Sequence, residues 1–321
     1  MLKKMSLRKI GITSVALFAT TLIYLIPSTK SELKPKVELE YVSNQIESPI
    51  FLIDKNNYVA MTKVVLTTNQ IEEKAKEVLN ILTIGNDSNK LPSGFKAIIP
   101  PDTRIKSLKY QNGLIKVDFS SDLLDVSEEQ EEKLIEAIVY NLTEIDDVNK
   151  VIIYVEGEIL TKLPKTKLNL PSTLDRSFGV NKNYEFTSTK DINRITVYYV
   201  NKEKNNYYYV PVTKYLNDNR DKISIVIDEL TSGFNYQTNL MSFLNSDVSL
   251  VSNMIEDDTL KLEFNTALFD DVTSKEVLEE VIYTICLSAY DNYDIKKVIL
   301  MVGNEEIYKT TSKTIESLKD L

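Results

Sequence analysis

The sequence predicts an α+β protein built from two tandem ββαββαβ repeats, each with its helices packed on one face of a mixed sheet. Three observations carry that reading. Two stretches about 145 residues apart repeat each other, Gly113-Leu-Ile-Lys-Val-Asp118-Phe119-Ser-Ser-Asp-Leu-Leu-Asp125 and Asp258-Thr-Leu-Lys-Leu-Glu263-Phe264-Asn-Thr-Ala-Leu-Phe-Asp270, with apolar, acidic and aromatic positions matching one for one. Flanking echoes keep the same order: Tyr58-Val-Ala-Met-Thr-Lys63 with Tyr209-Val-Pro-Val-Thr-Lys214, Ser93-Gly94-Phe95 with Ser232-Gly233-Phe234, and Val151-Ile-Ile-Tyr-Val155 with Val298-Ile-Leu-Met-Val302. Within each copy, strand-like runs and stretches of helical apolar spacing follow one another in a single order.

Each element has its own local reason. Ile50 to Asp54 and Tyr58 to Leu66 read as strands around the turn-like Lys55-Asn56-Asn57, and copy two has Ile195 to Val200 and Tyr207 to Val212 around residues 201 to 206. A helix follows in each, on the apolar positions Ile71, Ala75, Val78, Leu79 and Leu82, then Ile223, Val226, Ile227 and Leu230. Asn69, with Glu72 three residues on, is the expected cap of the first, and Ser-Gly-Phe is expected to end both. A second hairpin runs from Arg104 to Leu108 and Leu114 to Phe119, turning at Gln111-Asn112-Gly113, with Glu256-Asp257-Asp258 as the turn of its partner. Capping-box patterns, Ser127-x-x-Gln130 and Thr273-x-x-Glu276, open the second helices. Val151 to Val155 and Val298 to Val302 are apolar on both faces, as a strand inside a sheet should be.

The resulting organisation is a signal or membrane anchor at 1–31, a charged tether at 32–46, domains at 47–158 and 193–310, and a polar tail at 311–321. The segment between the domains, 159–192, carries Pro164, Pro171 and Gly179 and is either a linker or an ordered strap. Lys3, Lys4, Arg8 and Lys9 precede an apolar run from Ile10 to Ile26, the layout of an export segment. No small-x-small cleavage site follows, so a retained anchor is expected, with the basic end cytoplasmic and everything from about residue 30 outside the membrane. If the segment is cleaved, the protein is secreted.

Five of the 38 basic residues and none of the 47 acidic ones lie in residues 1–31, so the remainder holds 33 basic and 47 acidic residues, a net of −14. Such a surface makes nucleic acid an implausible ligand. Cys286 is the only cysteine, so no intramolecular disulfide exists and packed cores must supply the stability. Each repeat, at roughly 100 to 130 residues, is expected to fold by itself on that basis.

Absences narrow the chemistry. Zero histidines exclude Ser-His-Asp and Cys-His nucleophiles and the common zinc sites with histidine ligands. Carboxylate chemistry is what stays open, with Asp118, Glu263, Asp122, Asp125, Asp270 and Asp271 as candidates. Asp118 and Glu263 alternate with Val117, Phe119, Leu262 and Phe264, which puts both on the solvent faces of their strands as surface acids. Asp146-Asp147 and Glu256-Asp257-Asp258 suit tight turns and lack the alternating ligand spacing of a calcium loop. Cys286 falls where Val139 does and reads as a small core residue. Tyr198, Tyr199, Tyr207, Tyr208 and Tyr209 crowd one hairpin and suggest a face for glycan or, more readily, for protein, although alternation sends some of them to the core. No catalytic, cofactor-binding or metal-binding residue is assigned, and no cofactor is expected.

Arg194-Ile-Thr-Val-Tyr-Tyr-Val200, Tyr209-Val-Pro-Val-Thr-Lys214 and Gly113-Leu-Ile-Lys-Val-Asp-Phe-Ser120 resemble the GerMN-domain family of sporulation and spore germination proteins, over roughly residues 47 to 310. Leu170-Pro-Ser-Thr-Leu-Asp-Arg176 is similar to the family's interdomain segment. Relatives typically carry an acylated cysteine after the signal, which this chain lacks. The resemblance implies domains like the ring-building motifs of secretion systems and a non-enzymatic extracytoplasmic protein. It further implies a scaffold or assembly factor of the cell envelope, acting where SpoIIIA-type and SpoIIQ-type components join mother cell and forespore. A peptidoglycan-binding protein and a carboxylate-dependent wall hydrolase are the alternatives. Unpaired strand edges and exposed tyrosines are the expected docking features.

Overall fold

The computed structural model describes residues 46–86, 91–233 and 238–310. The expected anchor, nearly all of the tether and the polar tail lie outside the described residues. In the first repeat, β1 (Ile46–Asp54) and β2 (Val59–Leu66) form a hairpin whose turn is closed by Asp54, its Oδ1 accepting from the Asn56 and Tyr58 N–H groups at 2.9 and 2.8 Å. Helix α1 (Ile71–Ile81) buries Ala75, Val78, Leu79 and Ile81, and the short β3 (Phe95–Lys96) pairs with β1. β4 (Ile105–Gln111) and β5 (Leu114–Phe119) turn through Asn112 and Gly113 at φ 48° and 80°, the two left-handed residues a tight hairpin turn requires. Helix α2 (Glu128–Leu142) starts after Ser127, whose N–H and hydroxyl both donate to Gln130 Oε1, at 3.4 and 3.1 Å. β6 (Lys150–Val155) lies parallel to β5, and β7 (Glu158–Ile159) doubles back on it.

After β8 (Asn183–Tyr184), the second repeat retraces this path. β9 (Asn193–Glu203) and β10 (Asn206–Leu216) form a long hairpin followed by α3 (Lys222–Thr231). β11 (Leu250–Glu256) and β12 (Thr259–Phe264) form the next, followed by α4 (Glu279–Asn292), the parallel β13 (Lys297–Val302) and β14 (Glu305–Lys309).

The α+β class and the tandem repeat hold, with differences in detail. The strands of one repeat do not share one sheet. β4-β5-β6-β7 and β11-β12-β13-β14 are separate four-stranded sheets, while the first hairpins of both repeats merge into a six-stranded sheet, β3-β1-β2-β10, in which β10 also carries β8 and β9. Each repeat also has a closing strand, β7 or β14, that makes the preceding apolar strand internal. Gln70 rather than Asn69 precedes α1, because Glu72 turns away to accept the Tyr110 N–H at 2.9 Å. Ser232-Gly233 does end α3, with Gly233 at φ 82°, but Ser93-Gly94 sits beyond an intervening loop and leads into β3. Helix α4 opens at Glu279 instead of near Thr273, since Asp271 captures the Thr273 N–H at 2.7 Å and bridges to Glu276.

The described residues from Ile46 to Thr310 fall in one compact unit, and their buried cluster runs through both repeats. At the seam, Tyr209 of β10 pairs with Met61 of β2. Continuing that register sets Pro211 opposite Val59, and proline has no N–H to donate. Asn181 fills the gap: its amide nitrogen donates to the Val59 and Pro211 carbonyls, each at 2.8 Å, and its oxygen accepts the Val59 N–H at 3.0 Å. Asn181 belongs to the segment between the repeats, which is an ordered strap. Leu174 exchanges two 2.8 Å backbone bonds with Val151, Val180 accepts from Thr213 N–H, and Glu131 receives the N–H groups of Lys165 and Thr166 at 2.8 and 2.7 Å.

Candidate functional site

The densest polar cluster lies where the strap crosses both repeats. Asp175 accepts the Ser177 N–H at 2.7 Å and so shapes the turn Arg176–Phe178 that aims Arg176 inward. Arg176 Nη1 donates to Asp291 Oδ1 at 2.6 Å and Tyr198 Oη at 3.2 Å, Nη2 to Glu144 and the Tyr140 carbonyl, and Nε to Thr143 Oγ1 at 3.1 Å. Its plane also faces the rings of Tyr140 and Phe51, at 4.6 and 5.3 Å from their centres. Burial opposes the charge on Arg176, but Asp291 and Glu144 outweigh it and strengthen the cation. With its donors committed to α2, α4, β9 and the helix end at Tyr140, this arginine is a clasp between repeats and has no fork free for a ligand.

A second cluster packs the strap on α2. Lys182 Nζ lies 2.5 Å from Glu132, 3.6 Å from Glu136, and 3.6 Å from the centre of the Phe178 ring. Glu136 is 2 % exposed, and burial pushes its carboxyl up to about 7 despite Lys182 and the Asn181 N–H that it accepts. Across the seam, buried Asp54 accepts the Tyr208 hydroxyl at 2.8 Å, so the first hairpin's turn is tied to the second repeat.

The acids singled out in the sequence serve turns. Asp118 Oδ1 accepts the Gly157 N–H and Glu263 Oε1 the Asn304 N–H, both at 3.0 Å. These are equivalent duties, the two acids fixing the β6–β7 and β13–β14 turns. Asp122 accepts the Ser120 hydroxyl at 2.7 Å, and Asp125 and Asp270 are exposed beside short helical turns. Among the described residues no group of three or more Cys, Asp or Glu could hold a metal. Cys286 is buried, and burial pushes its thiol far up.

The tyrosine hairpin is not an exposed platform. Tyr198 and Tyr208 are buried, Tyr199 bonds Glu229 at 3.1 Å, and Tyr209 stacks on Tyr283 with ring centres 5.1 Å apart. Tyr207 alone of the five is exposed. Arg176, Asn181 and Asp54 were not singled out by their chemistry, although Arg176 ends the Leu170–Arg176 run that marked the connector.

Residues 49–161 and 196–308 each match the family described as Germane, sporulation and spore germination. The chain belongs to that family. It is similar to the spore germination protein GerM of Bacillus subtilis, with 30 % identity over 285 residues that span 86 % of this chain and 77 % of the relative. The solved tandem GerMN domains of the sporulation protein GerM from Bacillus subtilis share its fold at a TM-score of 0.73 and 29 % identity, over 81 % of this chain and 92 % of that one. Both Germane matches lie within the unit that the strap holds together, and the strap falls between them.

Proposed function

We propose that the protein is a non-catalytic, membrane-anchored scaffold of the cell envelope that works outside the membrane during sporulation. The observation that carries this is family membership through two Germane repeats locked into one unit whose charged interior groups are spent on holding the repeats together. A protein that organises others needs fixed surfaces more than a reactive pocket, and the Arg176 clasp and Asn181 wedge supply that fixity. No described helix is long and apolar enough to cross a membrane, so anchoring rests on the basic-then-apolar segment before residue 27, outside the described residues. Partners in this reading are envelope proteins, including channel components of the mother cell–forespore junction, with peptidoglycan as a further contact.

The test is genetic and biochemical together. Deleting the gene in the source cells should lower the yield of heat-resistant spores and leave vegetative growth intact, and crosslinking during sporulation should join the protein to envelope components. A deletion strain that sporulates normally would sink the proposal. Zymography of residues 44–321 on peptidoglycan tests the hydrolase alternative, with clearing that vanishes in Asp118→Asn or Asp270→Asn as the result in its favour.

A further inference from the structure

The two repeats differ at one sheet edge. β4 and β11 are equivalent strands: each borders its four-stranded sheet, each runs antiparallel to the strand inside it, and each has its register shift at the second residue, Lys106 or Val251. Lys109 lies opposite Lys116 as Met254 lies opposite Lys261, so Lys106, Lys109 and Tyr110 occupy the places of Val251, Met254 and Ile255.

The first of these edges is guarded. Lys106 pairs with Glu156 at 2.7 Å, α1 packs on the strand, and Glu72 takes the outward Tyr110 N–H. Lysines on an edge strand are a recurrent barrier to pairing with another chain, because a docking strand would have to bury or displace them. Among the described residues the second edge shows none of these guards. Val251, Met254 and Ile255 are 65 %, 50 % and 48 % exposed, α3 packs on β9 and α4, and the shared register points the Ile255 N–H outward.

We propose that β11 receives an extended, lysine- or arginine-bearing segment of a partner protein as a fifth strand of its sheet. This deepens the scaffold reading above and rests on it for the existence of a partner. Main-chain hydrogen bonds along the edge supply affinity, and the exposed Val251, Met254 and Ile255 supply apolar contact. Charge selects the occupant. No lysine or arginine occurs between Lys222 and Lys261, whereas Asp247 stands before β11, Glu256 ends it, and Asp257 and Asp258 follow it. Lys261 is itself held by Glu256 at 2.5 Å, and Lys296 reaches Asp258 at 3.5 Å from an exposed position, so the acidity offered to a docking strand is that of Asp247 at one end and chiefly Asp257 at the other. A second copy paired antiparallel would set Asp247 of one chain toward the acidic turn of the other, which like-charge repulsion disfavours. A basic strand meets acids at both ends.

The test uses residues 44–321, which contain the compact unit of the described residues. Two terminally blocked heptapeptides, Thr-Lys-Val-Lys-Val-Lys-Thr and its glutamate counterpart, are titrated against the protein while backbone amide shifts and hydrogen exchange are followed by NMR. The lysine peptide should shift amides of residues 250–256 and slow exchange at Ile255. The double variant Val251→Lys/Met254→Lys, which restores the first repeat's residues, should weaken binding by roughly tenfold or more without changing the melting temperature, since both side chains are exposed. No response at β11, or equal binding of the glutamate peptide, overturns the proposal. So does dimerisation in sedimentation that the double variant abolishes, because the occupant is then a second copy. The sporulation phenotype of the deletion strain is independent of these readouts. A normal phenotype with intact peptide binding refutes the scaffold role alone, and a defect without peptide binding refutes the docking strand alone.

Discussion

Replacing Arg176 with methionine should cost the fold about 3 to 5 kcal/mol, the range for removing one partner of a buried ion pair and leaving the other uncompensated. The structure sets the size. Asp291, with 4 % of its side chain exposed, loses its cation, Glu144 at 17 % loses the same one, and two ring contacts disappear with it. Methionine keeps much of the apolar stem's volume, so the loss reports charge and hydrogen bonding more than a cavity. The assay is urea unfolding of residues 44–321 followed by far-ultraviolet circular dichroism. With a slope near the upper end of about 1–3 kcal/mol/M, the midpoint should fall by more than about 1 M. The triple variant Arg176→Met/Glu144→Gln/Asp291→Asn should recover a large part of that loss, because no orphaned charge is left inside. A loss under about 1 kcal/mol for the single variant, or a triple variant clearly less stable than the single, would refute the view of Arg176 as the clasp.

Three further outcomes follow from the same seam. Folding raises the Glu136 carboxyl from 4.5 to about 7, so the folded state holds that proton more tightly and the associated stability, full below about pH 4.5, is lost as pH climbs to about 7. At about 1.4 kcal/mol per pH unit this is at most roughly 3.5 kcal/mol, and Glu136→Gln should flatten the stability profile over that window; an unchanged profile would contradict the assignment. Asn181→Ala leaves the Val59 N–H and two carbonyls unpaired and should cost about 2 to 4 kcal/mol in the same urea assay, whereas Asn183→Ala, a half-buried residue of β8 whose amide bonds Glu185 at an exposed site, should cost under about 1. Because one buried cluster runs through both repeats, calorimetry should show one transition for residues 44–321, and residues 46–158 alone should lack a cooperative one; two separated transitions would show that each repeat folds by itself.

Much of the fold was legible because strands and helices write their periods into contiguous residues. Gly113-Leu-Ile-Lys-Val-Asp-Phe119 alternates, and β5 buries Ile115, Val117 and Phe119. The failures are places where another group, near or far in the chain, competed for the expected partner. Thr273-x-x-Glu276 has the letters of a capping box, but Asp271 reached its N–H first. Glu72 was spaced to cap a helix and instead serves Tyr110, 38 residues away. The clustered tyrosines looked like a surface because alternation alone does not reveal that both faces of β9 and β10 are covered. The union of the first hairpins into one sheet left hardly any local trace, since it rests on the Met61–Tyr209 pair and on an asparagine between them in the chain. As for the acids, strand alternation correctly placed Asp118 and Glu263 off the core, but only the structure shows that each holds a turn.

The wedge at Asn181 also has a meaning in time. Synthesis delivers β2 long before β10, and until β10 arrives the outer edge of β2 is open to any strand that passes. Asn181 comes 30 residues ahead of Pro211, and both of its bonds to Val59 can form without β10. The strap thus reaches that edge first and holds the position opposite which β10 has a proline. The late strand then has one register open to it, with Pro211 facing the residue that no longer needs a partner from it. A junction between duplicated halves, otherwise prone to pairing with the wrong copy, thus carries contacts that can form in the order in which the chain is made.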